Sequence, residues 1–248
     1  MSGHSKWSTI KRKKGALDAK KGKIFTRIIK EITIAAREGG GDPESNARLR
    51  LAVQNAKGAN MPKDNIDRAI KKATGSDADN YTESTFEGYA ANGIAVFVEC
   101  LSDNNNRTVS NVRAAFNKFG GSLGTNGSLS FLFDRKGIFS ISMDESIDMD
   151  EFELEIIDAG AEDIEVEDNM ITVSCAMEDF GSIYRKLETM GVIAESADLQ
   201  RIPNDTKELD LESARKVLRL IEVLEEDDDV QNVFHNLEMT DELADELS

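Results

Sequence analysis

Little of what enzymes, secreted proteins and membrane proteins depend on is present in this chain. Its 248 residues include two cysteines, two histidines, three prolines and one tryptophan. Cys100 and Cys175 each end an apolar run (AVFVEC, ITVSC), which reads as a small buried hydrophobe in a reducing compartment rather than half of a disulfide. His4 and His235 stand at opposite ends of the sequence, and no histidine and cysteine fall at metal-ligand spacing. The longest unbroken apolar run, Ile94 to Val98, is far short of the roughly 20 residues that cross a bilayer. The opening MSGHSKWSTIKRKKG is positive, but no hydrophobic stretch follows it, and its lysine dominance makes a poor organellar transit peptide. The cytoplasm is the expected compartment, and no membrane partner is expected.

Catalytic patterns are equally scarce. The glycine-rich stretch Gly120 to Gly127 follows a predicted helix and precedes a predicted strand, the reverse of a phosphate-binding loop, and it lacks the Lys-Ser/Thr of one. The acidic run Glu225 to Asp229 reads as solvated. The expectation is therefore a protein that is not an enzyme, with no cofactor, no catalytic residue, no metal ligand and no small-molecule substrate.

What the chain does have is charge, unevenly divided. Residues 1–75 hold eighteen Lys and Arg against seven Asp and Glu, a net +11, while the remainder holds twelve against forty, a net −28. Charges farther apart than a Debye length of about 10 Å are largely screened from one another, so an acidic body does not cancel a basic arm. Lys6, Lys11, Arg12, Lys13, Lys14, Lys20, Lys21 and Lys23 stand with Asp18 as the one acid between Ser2 and Lys23. Cations of this kind neutralise phosphates and release condensed counterions. Trp7 adds a flat face for stacking on an unpaired base. Arg27 and, farther on, Lys57, Lys63, Arg68, Lys71 and Lys72 extend the cationic set.

Periodicity organises the rest. Ile24, Phe25, Ile28, Ile29 and Ile32 recur at helical spacing before AAREGGG; Asp42-Pro43-Glu44 looks like the start of a second helix, and Pro62 starts a third with Ile66, Ala69 and Ile70. FEGYAANGIAVFVECL reads as a hairpin turning at Asn92-Gly93, followed by a helix opened at Asn106-Arg107-Thr108 and a strand at SLSFLF. From Gly137 to Leu199 the order is β-α-β-β-α-β, that of a ferredoxin-like unit whose last strand is expected within Val192 to Leu199. After Pro203 a helix through Leu211, Ala214, Leu218 and Ile221 and the strand VQNVFHN complete the interrupted ββαβ. The expected fold is α+β with three domains: a basic arm and three-helix domain over 1–78, then two ferredoxin-like α/β domains, a discontinuous one over 79–136 plus 204–248 and one over 137–203 inserted into it.

The motifs Gly3-His4-Ser5-Lys6-Trp7, Asn60-Met61-Pro62-Lys63-Asp64-Asn65, Leu101-Ser102-Asp103-Asn104 with Asn106-Arg107-Thr108, Gly120-Gly121-Ser122-Leu123-Gly124, and Asp228-Asp229-Val230-Gln231 with His235-Asn236 span the chain. In them it resembles the YebC/PmpR family, whose mitochondrial relatives are translational activators of a cytochrome oxidase subunit. That resemblance implies a three-domain cytoplasmic protein described as a probable DNA-binding transcriptional regulator, which is the first reading; family members are also connected with translation on stalled ribosomes, and the alternative reading is a ribosome-associated translation factor that holds rRNA and relieves stalling. It supplies no base-contacting residues. The expected nucleic-acid-binding set comes from local chemistry: Lys6, Trp7, Lys11, Arg12, Lys13, Lys14, Lys20, Lys21, Lys23, Arg27, Lys63 and Arg68. DNA and rRNA are the expected partners, with basic ribosomal proteins as further candidates for the acidic body. A third reading is an adaptor whose arm folds onto its own acidic body.

Overall fold

A computed structural model describes residues 18–75, 80–144, 147–167, 169–240 and 242–243, with side chains described from residue 22. Three helices come first, α1 (Asp18–Gly39), α2 (Ala47–Gly58) and α3 (Lys63–Ala73). Two four-stranded antiparallel sheets follow, the α+β class that the periodicity predicts. The cap of α2 differs from expectation. Asp42 to Ser45 form a turn, and the capping residue is Asn46, whose side chain accepts from the Leu49 N–H at 3.1 Å and donates to the carbonyls of Ala35 and Gly40. One amide thus closes both the end of α1 and the start of α2, a task that a carboxylate at Asp42, having no donor, cannot perform.

By packing, the described chain falls into two units, 18–34 with 80–134 and 202–243, and 35–75 with 135–201. In the first, β1 (Thr82–Tyr89) and β2 (Ala95–Ser102) pair from Thr82–Ser102 to Tyr89–Ala95. Asn92 (φ 60°) and Gly93 (φ 74°) make the turn in the left-handed region that these residue types tolerate. With β3 (Ser122–Leu123) and β8 (Val230–His235) the strand order is β3-β1-β2-β8. Val96, Val98 and Cys100 face α4 (Asn105–Lys118) and α7 (Leu211–Glu226), meeting Val112, Phe116, Leu220 and Ile221. The alternate residues Ala95 and Phe97 pack on the opposite face with Leu129, Phe133 and Phe234. Burial on both faces is why β2 reads as one continuous apolar run.

SLSFLF is not a strand. The pairing strand lies earlier, at Ser122–Leu123, and Ser130–Leu132 form a single 3₁₀ turn. Glu87 explains the difference: its buried carboxylate accepts the N–H groups of Gly127 (2.7 Å) and Leu129 (2.6 Å), and its carbonyl accepts that of Gly124. The loop is pinned inward, and Leu129 and Phe133 become plugs for the second face of the sheet.

The second unit holds α2, α3 and the strands β4 (Phe133–Ser142, which starts in the first unit), β5 (Ala161–Glu167), β6 (Met170–Ala176) and β7 (Ser196–Pro203), in the order β5-β6-β4-β7. With α5 (Met149–Asp158) and α6 (Phe180–Met190) this is the ferredoxin-like arrangement. Phe139, Ile141, Ile171, Val173 and Cys175 of the sheet pack on Phe152, Ile156, Ile183 and Leu187 of the helices. Asp148 caps α5 and Gly191 (φ 71°) ends α6, as the residue types predict. The final strand begins four residues later than the start of the Val192–Leu199 window, because Gly191 is followed by a connecting loop. Strand β8 joins the first sheet only after the whole second sheet has been traversed, so one sheet interrupts the other in sequence.

Candidate nucleic-acid interface

Lys23, Arg27 and Lys30 lie four and three residues apart, one stripe along α1. They meet the C-terminus of α7, whose last carbonyls have no helical partner and carry the negative end of the helix dipole. Lys23 Nζ donates to the Glu226 carbonyl at 3.0 Å and Arg27 Nη2 to the Glu225 carbonyl at 2.6 Å. Lys30 Nζ donates to the carbonyls of Asp228 (2.6 Å) and Leu101 (3.0 Å) and to Asp229 Oδ1 (3.2 Å). Burial lowers the pKa of the Arg27 guanidinium, while Glu225 and Asp228 act to raise it.

Asp229, 2% exposed, is the hub of this docking. Beyond Lys30 it accepts from Arg107 Nε at 3.0 Å and Nη2 at 2.8 Å and from Thr108 Oγ1 at 3.0 Å. Burial pushes its carboxyl pKa up, but hydrogen bonds from Arg107, Lys30, Thr108 and Ser102 outweigh burial and hold the group below its usual range. A buried carboxylate held by two cations is costly to disturb, because either partner left alone is an uncompensated charge.

Helix α3 uses its cations differently. Ile66, Ala69 and Ala73 face inward, leaving Lys63, Arg68, Lys71 and Lys72 exposed alongside Asp64 and Asp67. Arg68 Nε reaches no farther than the Asp64 carbonyl of its own helix, at 3.2 Å. Lys57, at the end of α2, is exposed as well. Those helices sit on a firm base: Asn55 accepts from the Ala197 N–H (3.0 Å) and donates to the Ala197 carbonyl (3.1 Å), mimicking a neighbouring strand along β7. At Gly58 a Cβ would lie 1.8 Å from the Glu195 carbonyl oxygen, so only glycine permits this approach.

Of the expected contact residues, Lys6, Trp7, Lys11, Arg12, Lys13 and Lys14 lie outside the described residues, and Lys20 and Lys21 belong to the opening turns of α1. Lys23 and Arg27 are held by α7, whereas Lys63 and Arg68 are exposed together on α3. Phe97, Phe133 and Phe234 of the first sheet are 3–5% exposed and are core residues rather than a base-stacking platform of the RNA-recognition kind. Sequence reasoning missed the Lys30–Asp229–Arg107 cluster. Its signal was a lysine set within the isoleucine stripe of α1, together with an Arg107 and an Asp229 that each fall in a motif of the family resemblance. Burial raises the pKa of the Cys100 thiol to about 12 and that of Cys175 to about 11, and neither thiol is activated. Among the described residues no three His, Cys, Asp or Glu side chains are grouped to hold a metal, and no helix is long and apolar enough to cross a membrane.

Comparison with known proteins gives the family. The sequence profile of the TACO1/YebC protein N-terminal domain matches residues 5–76, and that of the TACO1/YebC second and third domain matches residues 81–237. A probable transcriptional regulatory protein of Amoebophilus asiaticus is 54% identical over 239 residues, covering 96% of this chain and 98% of its own. The probable transcriptional regulatory protein YrbC of Bacillus subtilis is 51% identical over 238 residues, with 95% and 99% covered. Among solved structures, the conserved hypothetical protein Aq1575 from Aquifex aeolicus superposes with a TM-score of 0.80 at 41% identity, over 90% of this chain and 93% of that one.

Proposed function

The chain belongs to the TACO1/YebC family, and from that membership we propose a DNA-binding regulator of transcription in which the arm, and separately the outward face of α2 and α3, offer cations to duplex phosphates. The observation that carries this reading is the exposed cation set Lys57, Lys63, Arg68 and Lys71, which continues the chemistry of the eight-cation stretch between Ser2 and Lys23. The names of the relatives support a regulatory role. In this reading Lys6, Lys11, Arg12, Lys13, Lys14, Lys20 and Lys21 contact phosphates, Trp7 stacks or wedges at the backbone, and Lys63 and Arg68 extend the contact. Lys23 and Arg27 belong to the same cationic set, and both also donate to carbonyls at the end of α7. The protein acts in the cytoplasm by binding, without a chemical step.

Fluorescence anisotropy with labelled duplex DNA tests this. Affinity falls steeply with salt, with a slope of about −0.9 per phosphate neutralised. Reversing Lys11, Arg12, Lys13 and Lys14 to Glu abolishes binding and leaves the melting temperature unchanged. Absence of duplex binding at low salt removes the proposal. Tight binding to ribosomal RNA under conditions where duplex DNA fails transfers the same cations to a translational role.

A further inference from the structure

Sheet edges present unpaired N–H and C=O groups to any strand that arrives. In the first unit, β3 is two residues long and β8 is buried at four of its six positions. In the second, β7 has one exposed residue of its eight, and Asn55 of α2 takes both the N–H and the C=O of its Ala197. The remaining edge, β5, is seven residues long and has no buried residue; its outer side has no partner strand among the described residues. Of the four edges it is the one both long and open.

Its chemistry is one-sided. Between residues 148 and 167, across α5 and β5, stand ten Asp and Glu and no Lys or Arg. Lys136 pairs with Glu162 at 2.7 Å, and Lys186 pairs with Glu155. Alternation along β5 puts Asp163, Glu165 and Glu167 on one face and Ile164 and Val166 on the other. Val166 is 49% exposed.

We infer that β5 is a docking edge for an extended, lysine- or arginine-rich segment of a partner protein, which adds to the sheet as a fifth strand. Backbone pairing supplies the register, alternate cations meet the carboxylate face, and alternate apolar side chains lie beside Val166. A second copy of β5 is excluded by like charges directly opposite, and a nucleic-acid strand by its phosphates. This surface is separate in chemistry from the cationic face proposed for DNA, and its test does not depend on that reading.

The probe is a synthetic peptide alternating Lys and Val, titrated into the full chain and followed by anisotropy and by amide chemical shifts. Expected are shifts concentrated in residues 161–167 and no binding of the corresponding Glu–Val peptide. Glu165→Lys weakens the peptide about tenfold, Val166→Asp does likewise, and Glu188→Lys on α6 does not. Melting curves confirm that each variant is folded. Equal weakening by Glu188→Lys overturns the inference, because it shows attraction to overall charge; so do shifts that lie elsewhere. If deletion of residues 1–17 by itself opens β5 to the peptide, the occupant is the chain's own arm, and the partner assignment falls.

Discussion

Helices α1 and α3 come from the same basic segment, yet their cations meet opposite fates. On α1, Lys23, Arg27 and Lys30 are bound by carbonyls of residues 225, 226, 228 and 101 and by Asp229, whereas Lys63, Lys71 and Lys72 of α3 are exposed and Arg68 bonds within its own helix. The difference teaches that a segment's net charge says how many cations it has, not how many are available. A helix C-terminus with four unsatisfied carbonyls, followed by acidic residues, is a competitor for lysine and arginine as much as a phosphate is.

The strongest way to break the contrast is Asp229→Ala, which leaves Lys30 buried without its carboxylate. A loss of about 3–5 kcal/mol is expected in denaturant unfolding, and a loss below about 1 kcal/mol shows that α1 is not anchored there. Next comes the combined Lys63→Glu, Arg68→Glu and Lys71→Glu variant, expected to flatten the salt dependence of DNA binding by up to about three phosphate contacts with the melting temperature unmoved. An unchanged slope removes α3 from the interface. Gly58→Ala forces Cβ against the Glu195 carbonyl and is expected to cost about 1–3 kcal/mol, with DNA affinity falling as α2 loses its seat.

The smallest effect is on acid stability. The native pKa of Asp229 is lowered, so its contribution is complete above the unfolded carboxyl value of about 3.9 and is lost as pH falls through the lower native value. Relative to wild type, Asp229→Asn is therefore expected to show a shallower decline of stability over that acidic window. Parallel pH profiles for the two proteins contradict the assignment.

Much of the fold was legible. Isoleucine spacing marked α1, Asn92-Gly93 marked the hairpin, Asp148 and Gly191 bounded α5 and α6, and the β-α-β-β-α-β order identified the second sheet. Each of these signals is read in order along the chain, from a few consecutive residues or from a run of consecutive elements. The failures had distant causes. SLSFLF has the composition of a strand, but Glu87, some forty residues earlier, takes the amides of Gly127 and Leu129. Asp42-Pro43 has the composition of a helix start, but Asn46 is the residue that can also close α1. Lys30 and Asp229 are 199 residues apart, and no window spans that separation.

The sequence by itself determined the division of charge, the placement of most elements and the acidic stretch along α5 and β5, because composition and periodicity are local properties. Tertiary structure decided which cations stay exposed and which sheet edge stays open. Availability depends on what else competes for the same donors and acceptors, and those competitors, Asp229 for Lys30 and Asn55 for β7, reach their partners only once the chain has folded.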